Sequence, residues 1–579
     1  MPSPAQPTGQ PSSEPSSSEP PAGPAPSSLV PSSEVAFTLD GDAVSVADDG
    51  ITLLEALRGP LGVTSAKDGC SPQGQCGCCT VIVDGTARVA CVTPLRRVAG
   101  RDVRTFDGLD AGVRDRWAQA FLDHGASQCG FCSPGIVVRL EALREKAADQ
   151  GGVRAGAVDR ALAAHLCRCT GWQSIVEAAE DVLGVAEGTP VDLPGAGAGR
   201  DLAAAARRAT LELGAPQRVG VEVAAGAVGF SADTAPDGSL VAVPDPDGGW
   251  VVAGDVITAR RAAGKIQGRR TTVDPQPPLP VPDGDWAATL RTSWVDAAYV
   301  ETDASWCEPG GDPSPAAANG GAFGAKRMSP LPSVARQLAD EHGRPVLALW
   351  SREDCTRSAP KRPPFAGGIR ADGTGTVHVV RTDGIAERIS SVAPGLDVVE
   401  LDVPGPPTSS TLRAAGWAEA VVLVAGAGAP SEVVSVEPGA VGAATSDGER
   451  VVVRTADGAT AEASVTRDVR GAVDGISVRV RAGEVLDGVV LRSYCLGAAH
   501  MALSWVTSEG LAVDAEGNVL DLTVRSLGVL RAVDMPHVHV EVVEEDGAPV
   551  RVSDAVFAAV AAAAWRALGT PQDWPARPA

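Results

Sequence analysis

The sequence predicts an α+β protein that opens with two small cysteine-bearing modules, one of hairpins and one of helices, and continues into a longer mixed region. Three observations carry this. Eight of the twelve cysteines fall into two compact groups in the first third of the chain: Cys70, Cys76, Cys79 and Cys91, then Cys129, Cys132, Cys167 and Cys169. Around the first group apolar and polar residues alternate, the period of strands, and around the second apolar residues recur every three or four positions, the period of helices. Beyond residue 200, Val-rich runs separated by Asp-Gly and Glu-Gly turns, as in PDGSLVAVPDPDGGWVVAG, mark further strands.

Taken in order, residues 1–34 are almost wholly Pro, Ser, Ala, Gly and Glu, which cannot bury enough apolar surface to offset chain entropy, and they are expected to be a disordered tail. Val35, Phe37 and Leu39 share one face, Asp40-Gly41 turns the chain, and Val44 and Val46 return as a hairpin. Thr52 and Glu55 form a capping box in front of Leu53, Leu54 and Leu57. The first cysteine loop follows, then Val81 to Val83, a turn at Asp84-Gly85, and Val89 leading to Cys91. Hairpin, helix, loop and hairpin describe a β-grasp ferredoxin over 35–107.

Over 108–187 the period becomes helical. Trp117 and Phe121 lie four apart, and Ile136, Leu140 and Leu143 follow Ser133-Pro134, a cap and a first-turn proline. Val158, Leu162 and Leu166 run into the CRC triplet, and Ile175, Ala179 and Val182 continue beyond it. This is a helical bundle whose cysteines sit at helix ends, where unpaired N–H groups and positive helix termini stabilise an anion. A Pro/Gly-rich linker at 188–200 separates it from the mixed region, 201–579.

The cysteine spacings fit iron–sulfur ligation. Each iron of a [2Fe–2S] cluster needs two thiolates, so two groups of four suffice for two clusters and a path for single electrons. A plant-type loop reads C-x4-C-x2-C, and here Ser71 to Gln75 place one residue more between Cys70 and Cys76. Gly69, Gly74 and Gly77 let the backbone curl around a bulky anion and absorb the insertion, leaving Cys78 spare or exchangeable with a neighbour. Zinc is the competing reading, although structural zinc usually shows two short knuckles. Disulfides compete less, because MPSPAQPTGQ has neither the basic start nor the apolar core of a secretory signal.

A net charge of −23 argues against nucleic acid or an anionic membrane as partner and favours a basic one. No apolar run approaches the roughly eighteen residues of a spanning helix, the longest being AVFAAVAAAAWRAL at 555–568. The expectation is a cytoplasmic protein with no membrane span.

The two groups lie in KDGCSPQGQCGCCTVIVDG with Cys91 shortly after it, QCGFCSPG and LCRCTG, which resemble the small iron–sulfur subunit of the molybdenum hydroxylases, the xanthine dehydrogenase, aldehyde oxidase and carbon monoxide dehydrogenase family. The resemblance covers about 35–185 and implies two [2Fe–2S] clusters, with Gln128 touching a molybdopterin and Cys169 on the electron path; His165 and Trp172 stand where the family often has Asn and Tyr. Residues 299–327, followed by GRPVLALWSRED, are similar to the family's large subunit: Asn319 to Lys326 fit its GGxFGxK loop, which would set Gly320, Gly321, Phe323, Gly324 and Lys326 against the cofactor. Residues 496–543 resemble that subunit's closing stretch. Two departures accompany this. The family's large subunit is far longer than the stretch after the linker, and its catalytic Gly-Glu motif is replaced by DGAPVRVSDAVFAAV, with Asp554 the nearest acid for a base and equally a helix cap. No flavin-binding segment is evident.

Two functions follow. One is an oxidoreductase that hydroxylates an aldehyde or N-heterocycle at a molybdenum cofactor and passes the electrons through both clusters to a flavin subunit or soluble acceptor. The other is a non-catalytic electron-transfer subunit whose C-terminal region docks a separate molybdenum or flavin subunit. Among lesser signals, VVLVAGAGAPS at 421–431 reads as a strand entering a dinucleotide loop but lacks the third glycine and a following helix. His537 and His539 share a strand face without a third ligand, and Cys307, Cys355 and Cys495 read as buried thiols.

Overall fold

The structure, a computed structural model, describes residues 34–148, 152–154, 156–185, 193–195, 197, 199–264, 268, 273–438 and 449–576. The expected disordered tail lies outside these residues except for Glu34, which begins the first strand.

Strands β1 (Glu34–Leu39) and β2 (Asp42–Ala47) pair antiparallel up to Leu39↔Asp42. Asp40 and Gly41 both take positive φ, 53° and 95°, matching the strands' twist as a two-residue hairpin turn requires. Helix α1 (Leu53–Arg58) carries the expected capping box: Glu55 N–H donates to Thr52 Oγ1 at 3.2 Å, and Thr52 N–H donates to Glu55 Oε2 at 2.7 Å. With β3 (Thr80–Val83), β4 (Thr86–Val89) and β5 (Asp102–Arg104), the sheet runs β2-β1-β5-β3-β4, β1 and β5 parallel and the rest antiparallel. This is the β-grasp, its core closed by Phe37, Leu54, Leu57 and Val81.

Helices α2 (Ala111–Asp123), α3 (Ser133–Ala148), α4 (Ala157–Leu162) and α5 (Gln173–Leu183) form the bundle. Two details differ from expectation. Ser133 is the first residue of α3 and does not cap it; its hydroxyl shares a hydrogen bond with Ser127 Oγ at 2.7 Å. Leu166 lies beyond α4, where its N–H donates to Cys76 O at 2.9 Å and ties the second module to the first cysteine loop.

The linker expected at 188–200 falls partly outside the described residues, and its end is held in place: Arg200 forms a bidentate pair with Asp487 at 2.6 and 2.9 Å. Helix α6 (Leu202–Leu213) follows, and among the described residues three larger sheets and a two-stranded pairing of Val295–Asp296 with Lys361–Arg362 carry the rest. One orders Ala304–Cys307, Val346–Leu349, Leu240–Pro244 and Trp250–Ala253. A second orders Leu396–Leu401, Gly375–Val380, Phe365–Ile369, Ala288–Thr292 and Asp573–Trp574. The third runs in chain order from Val434–Pro438 to His537–Val543 and is covered by the helices Gly488–Thr507 and Ser553–Ala567.

Two sequence expectations are corrected here. Residues 421–427 are the end of a helix, Trp417–Ala427, not a strand. The run is apolar on every side because the helix is buried all round, a pattern periodicity does not separate from a core strand. Its start signal was Glu419, whose carboxylate accepts from Gly416 N–H at 2.8 Å and pairs with Arg362 at 2.8 Å. Gly488–Thr507 is a 20-residue helix long and apolar enough to span a bilayer, although no such run was expected. Arg492, Ser493 and His500 interrupt its apolar run, and its apolar window is wholly buried against protein, the condition of a core helix.

Candidate functional site

The first cysteine group is assembled by a loop, a strand start and a short turn. Gly74 and Gly77 take positive φ, 66° and 72°, and coil the loop so that the N–H groups of Gln75 and Cys76 point at Cys70 Sγ from 3.4 and 3.3 Å. Cys79 leads into β3, and Cys91 lies in the turn after β4, its N–H 3.4 Å from Cys79 Sγ. Contacts with Cys76 and Cys91 hold the Cys70 thiol well below its ordinary range, and the same contacts push those two up. The additional loop residue finds its purpose in contacts the sequence did not announce. Gln73 accepts from Val524 N–H at 2.8 Å and donates to Glu353 Oε1 at 2.8 Å, while Gln75 accepts from Arg525 N–H at 3.0 Å.

The second group joins the loop before α3 to the turn before α5. Cys129 and Cys169 meet with sulfurs 3.5 Å apart, and Cys132 meets Cys167. Contact with Cys132, together with Thr170, whose hydroxyl is 3.2 Å from the sulfur, brings the Cys167 thiol down to about 6. The second group thus gathers its thiols in twos, whereas in the first Cys70 touches both Cys76 and Cys91, and Cys91 also touches Cys79. Among the described residues no three or more His, Cys, Asp or Glu side chains converge as a single metal ion requires. Paired thiols at two adjacent points suit a binuclear cluster, in which each iron takes two, better than one tetrahedral zinc. None of the twelve cysteines is in a disulfide, and all are buried, Cys307, Cys355 and Cys495 as expected.

The two groups interlock. A Cβ on Gly77 would lie 2.3 Å from His165, and one on Gly135 would lie 2.4 Å from Gly77 O, so only glycine permits this approach. His165 fills the wedge with Nε2 3.2 Å from Thr80 Oγ1, and burial pushes its pKa down to about 3, leaving it neutral. Cys78 lies in the seam, its thiol 3.8 Å from Cys76 O. Trp172 is buried and donates to Leu530 O at 3.1 Å.

The glycine-rich loop lies against the second group. A Cβ on Gly321 would fall 2.8 Å from Cys129 Cβ and 3.4 Å from Cys169 Sγ; one on Gly320 would strike Leu213, and one on Gly324 Thr411 O. Phe323 lies under the Arg413 guanidinium, 5.1 Å from the ring centre, and Lys326 pairs with Glu301 at 3.0 Å. Gln128 donates to Ser493 O and Oγ at 3.1 and 3.0 Å, and Asn319 donates to Gln128 O at 2.9 Å. The cavity among Cys169, Gly320, Gly321 and Lys326 measures about 10 Å³ and that beside Gln128 about 20 Å³, room for about one water each. Ligand sites run roughly 300–1,000 Å³. These residues form a closed joint, and no chemical step is drawn through a pterin there.

Asp554 lies in the first turn of Ser553–Ala567 without capping it. It pairs with Arg551 at 2.9 Å and Arg413 at 3.2 Å. The acid at the start of Ser553–Ala567 is Glu212, which the sequence did not single out; it accepts from Val552 and Ser553 N–H at 3.3 and 2.9 Å. His537 and His539 are exposed on one strand face, as expected, with Gln173 rather than a third ligand beside His537.

Comparison with known proteins agrees with this geometry. Residues 105–180 match the [2Fe-2S] binding domain family. The chain is 40% identical over 133 residues to the xanthine dehydrogenase iron-sulfur-binding subunit of Escherichia coli O157:H7, covering 82% of that protein and 23% of this one. It is 38% identical over 152 residues to the nicotine 6-hydroxylase small subunit of Paenarthrobacter nicotinovorans, covering 90% of that protein and 26% of this one. Among solved structures, the aldehyde oxidoreductases of Desulfovibrio desulfuricans and Desulfovibrio gigas align over 94% of this chain and 99% of theirs, with TM-scores of 0.67 and 0.66 at 15% identity, a likeness of fold. The chain belongs to the molybdenum hydroxylase family and is an iron–sulfur oxidoreductase of that family.

Proposed function

We propose that this chain is a two-cluster electron relay. Cys70, Cys76, Cys79 and Cys91 hold one [2Fe–2S] cluster in a module spanning 35–107, and Cys129, Cys132, Cys167 and Cys169 hold a second in a module spanning 108–187. The observation that carries this is the two-by-two meeting of thiols in the second group, Cys129 with Cys169 and Cys132 with Cys167, beside a first group whose four thiols are gathered around Cys70 and Cys91. When bound, each cluster supplies a single-electron couple. The surrounding residues exclude water, fix the thiols and bring the groups together across the Gly77–Gly135 contact. The electrons derive from oxidative hydroxylation of an aldehyde or N-heterocycle. The reading keeps the protein in the cytoplasm, without a membrane span, with a flavin subunit or soluble acceptor downstream.

Where that hydroxylation occurs divides the reading. The closed joint around Gln128 and the glycine loop is the observation behind a second reading, in which residues 201–579 dock a separate molybdenum or flavin subunit. Molybdenum at about one per chain would instead put the cofactor at Gly320, Gly321, Phe323, Gly324 and Lys326. The relay is tested with Cys132→Ser. One of two electron paramagnetic resonance signals should vanish and the other persist; retention of both refutes the second group's assignment.

A further inference from the structure

Arg352 is buried at 2% exposure, and among the described residues no carboxylate lies within salt-bridge distance of it. Every other buried lysine or arginine among the described residues has one, as Lys67 has Asp233, Arg168 has Glu509 and Lys361 has Asp296. A permanently charged guanidinium in such a place is costly unless an anion compensates it. Its hydrogen bonds go only to carbonyls, Nε to Gly69 O at 3.0 Å and a terminal nitrogen to Val300 O at 2.7 Å, and it lies over the Tyr299 ring, 5.5 Å from the centre.

The acidic groups whose charge would act on it most are those of Cys355, Tyr299, Asp296 and Cys76. Burial pushes the Cys355 thiol up to about 12 and the Tyr299 hydroxyl well up, so both are neutral. Asp296 is engaged by Lys361 at 3.0 Å. The neighbouring Glu353 turns to Gln73, and burial pushes its carboxyl up. Cys76 remains. A Cβ on Gly69, whose carbonyl Arg352 holds, would lie 3.2 Å from Cys76 Sγ. Three other cations near this loop are paired, Lys67 and Arg58 with Asp233 and Arg260 with Asp68, while Arg525 is exposed. At the second group the fully buried cations are also neutralised, Arg168 bidentate to Glu509 at 2.6 and 2.8 Å and Lys326 to Glu301, while the half-buried Arg139 donates to Ala161 O.

We propose that Arg352 is the counter-charge of the first cysteine group and makes the first cluster a stronger oxidant than it would be without that charge. Four thiolates outweigh the charge of two irons and two sulfides, and reduction adds one more negative charge, which a fixed cation favours. The inference rests on the relay reading above.

The test is a redox titration of the reconstituted full chain, followed by electron paramagnetic resonance, with Cys132→Ser identifying the signals. In Arg352→Gln the reduced-to-oxidised ratio of the first cluster at fixed potential should fall about tenfold, about 59 mV for a single-electron couple, with the second unmoved. Arg352→Lys, which keeps the charge, should restore most of it. Should Arg352→Gln not fold, Glu509→Gln, which frees Arg168 beside the second group, should raise the second cluster's midpoint alone. An unmoved first midpoint with both clusters assembled, or equal shifts in both, overturns the role of Arg352. A wild-type chain that assembles no clusters overturns the relay reading itself.

Discussion

Arg168 stands between two cysteines of the second group yet commits its charge to Glu509, 341 positions away in sequence, with exposures of 6% and 1%. Removing one partner of such a buried pair leaves the other charge uncompensated, at a cost of about 3–5 kcal/mol. Arg168→Met should therefore lower the unfolding midpoint of the chain by that order, measured by denaturant titration; a change below about 1 kcal/mol, the scale of an exposed pair, would contradict the burial. The cysteines themselves were legible because ligation demands close spacing along the chain. Their supports were not, since Glu509, Val524 and Arg352 approach the cysteine loops from hundreds of positions away and leave no local spacing to read.

Elements with self-contained signals, such as the Asp40-Gly41 hairpin and the Thr52/Glu55 capping box, were read correctly because turn and cap chemistry lie within four residues. Helix Trp417–Ala427 was misread because burial on all sides erased the period that separates helix from strand. The helix Ser553–Ala567 begins with apolar Val552 before it, and its first N–H groups are met by Glu212 of α6, which also pairs with Arg208 at 2.9 Å. Glu212→Ala should strip that terminus and orphan a fully buried arginine, lowering stability by about 3 kcal/mol or more. Thermal unfolding followed by circular dichroism reads this, and an unchanged transition would show that Glu212 is not what caps the helix.

At the scale of the molecule, residues 201–579 enclose both cysteine groups: Arg352 and residues 522–525 hold the first loop, while Glu509, Gly321 and Ser493 close on the second module. The fold class was legible from period and motif. The closed joint was not, because whether a glycine loop faces a cofactor or a packed neighbour depends on Leu213, Thr411 and Cys129 approaching from other parts of the chain. The central claim is that eight buried thiolates hold two binuclear clusters. Iron, zinc and molybdenum should be quantified on anaerobically reconstituted, purified chain. The account predicts about four irons per chain without stoichiometric zinc. A colourless, iron-free protein, or one that takes up zinc in place of iron, would contradict it.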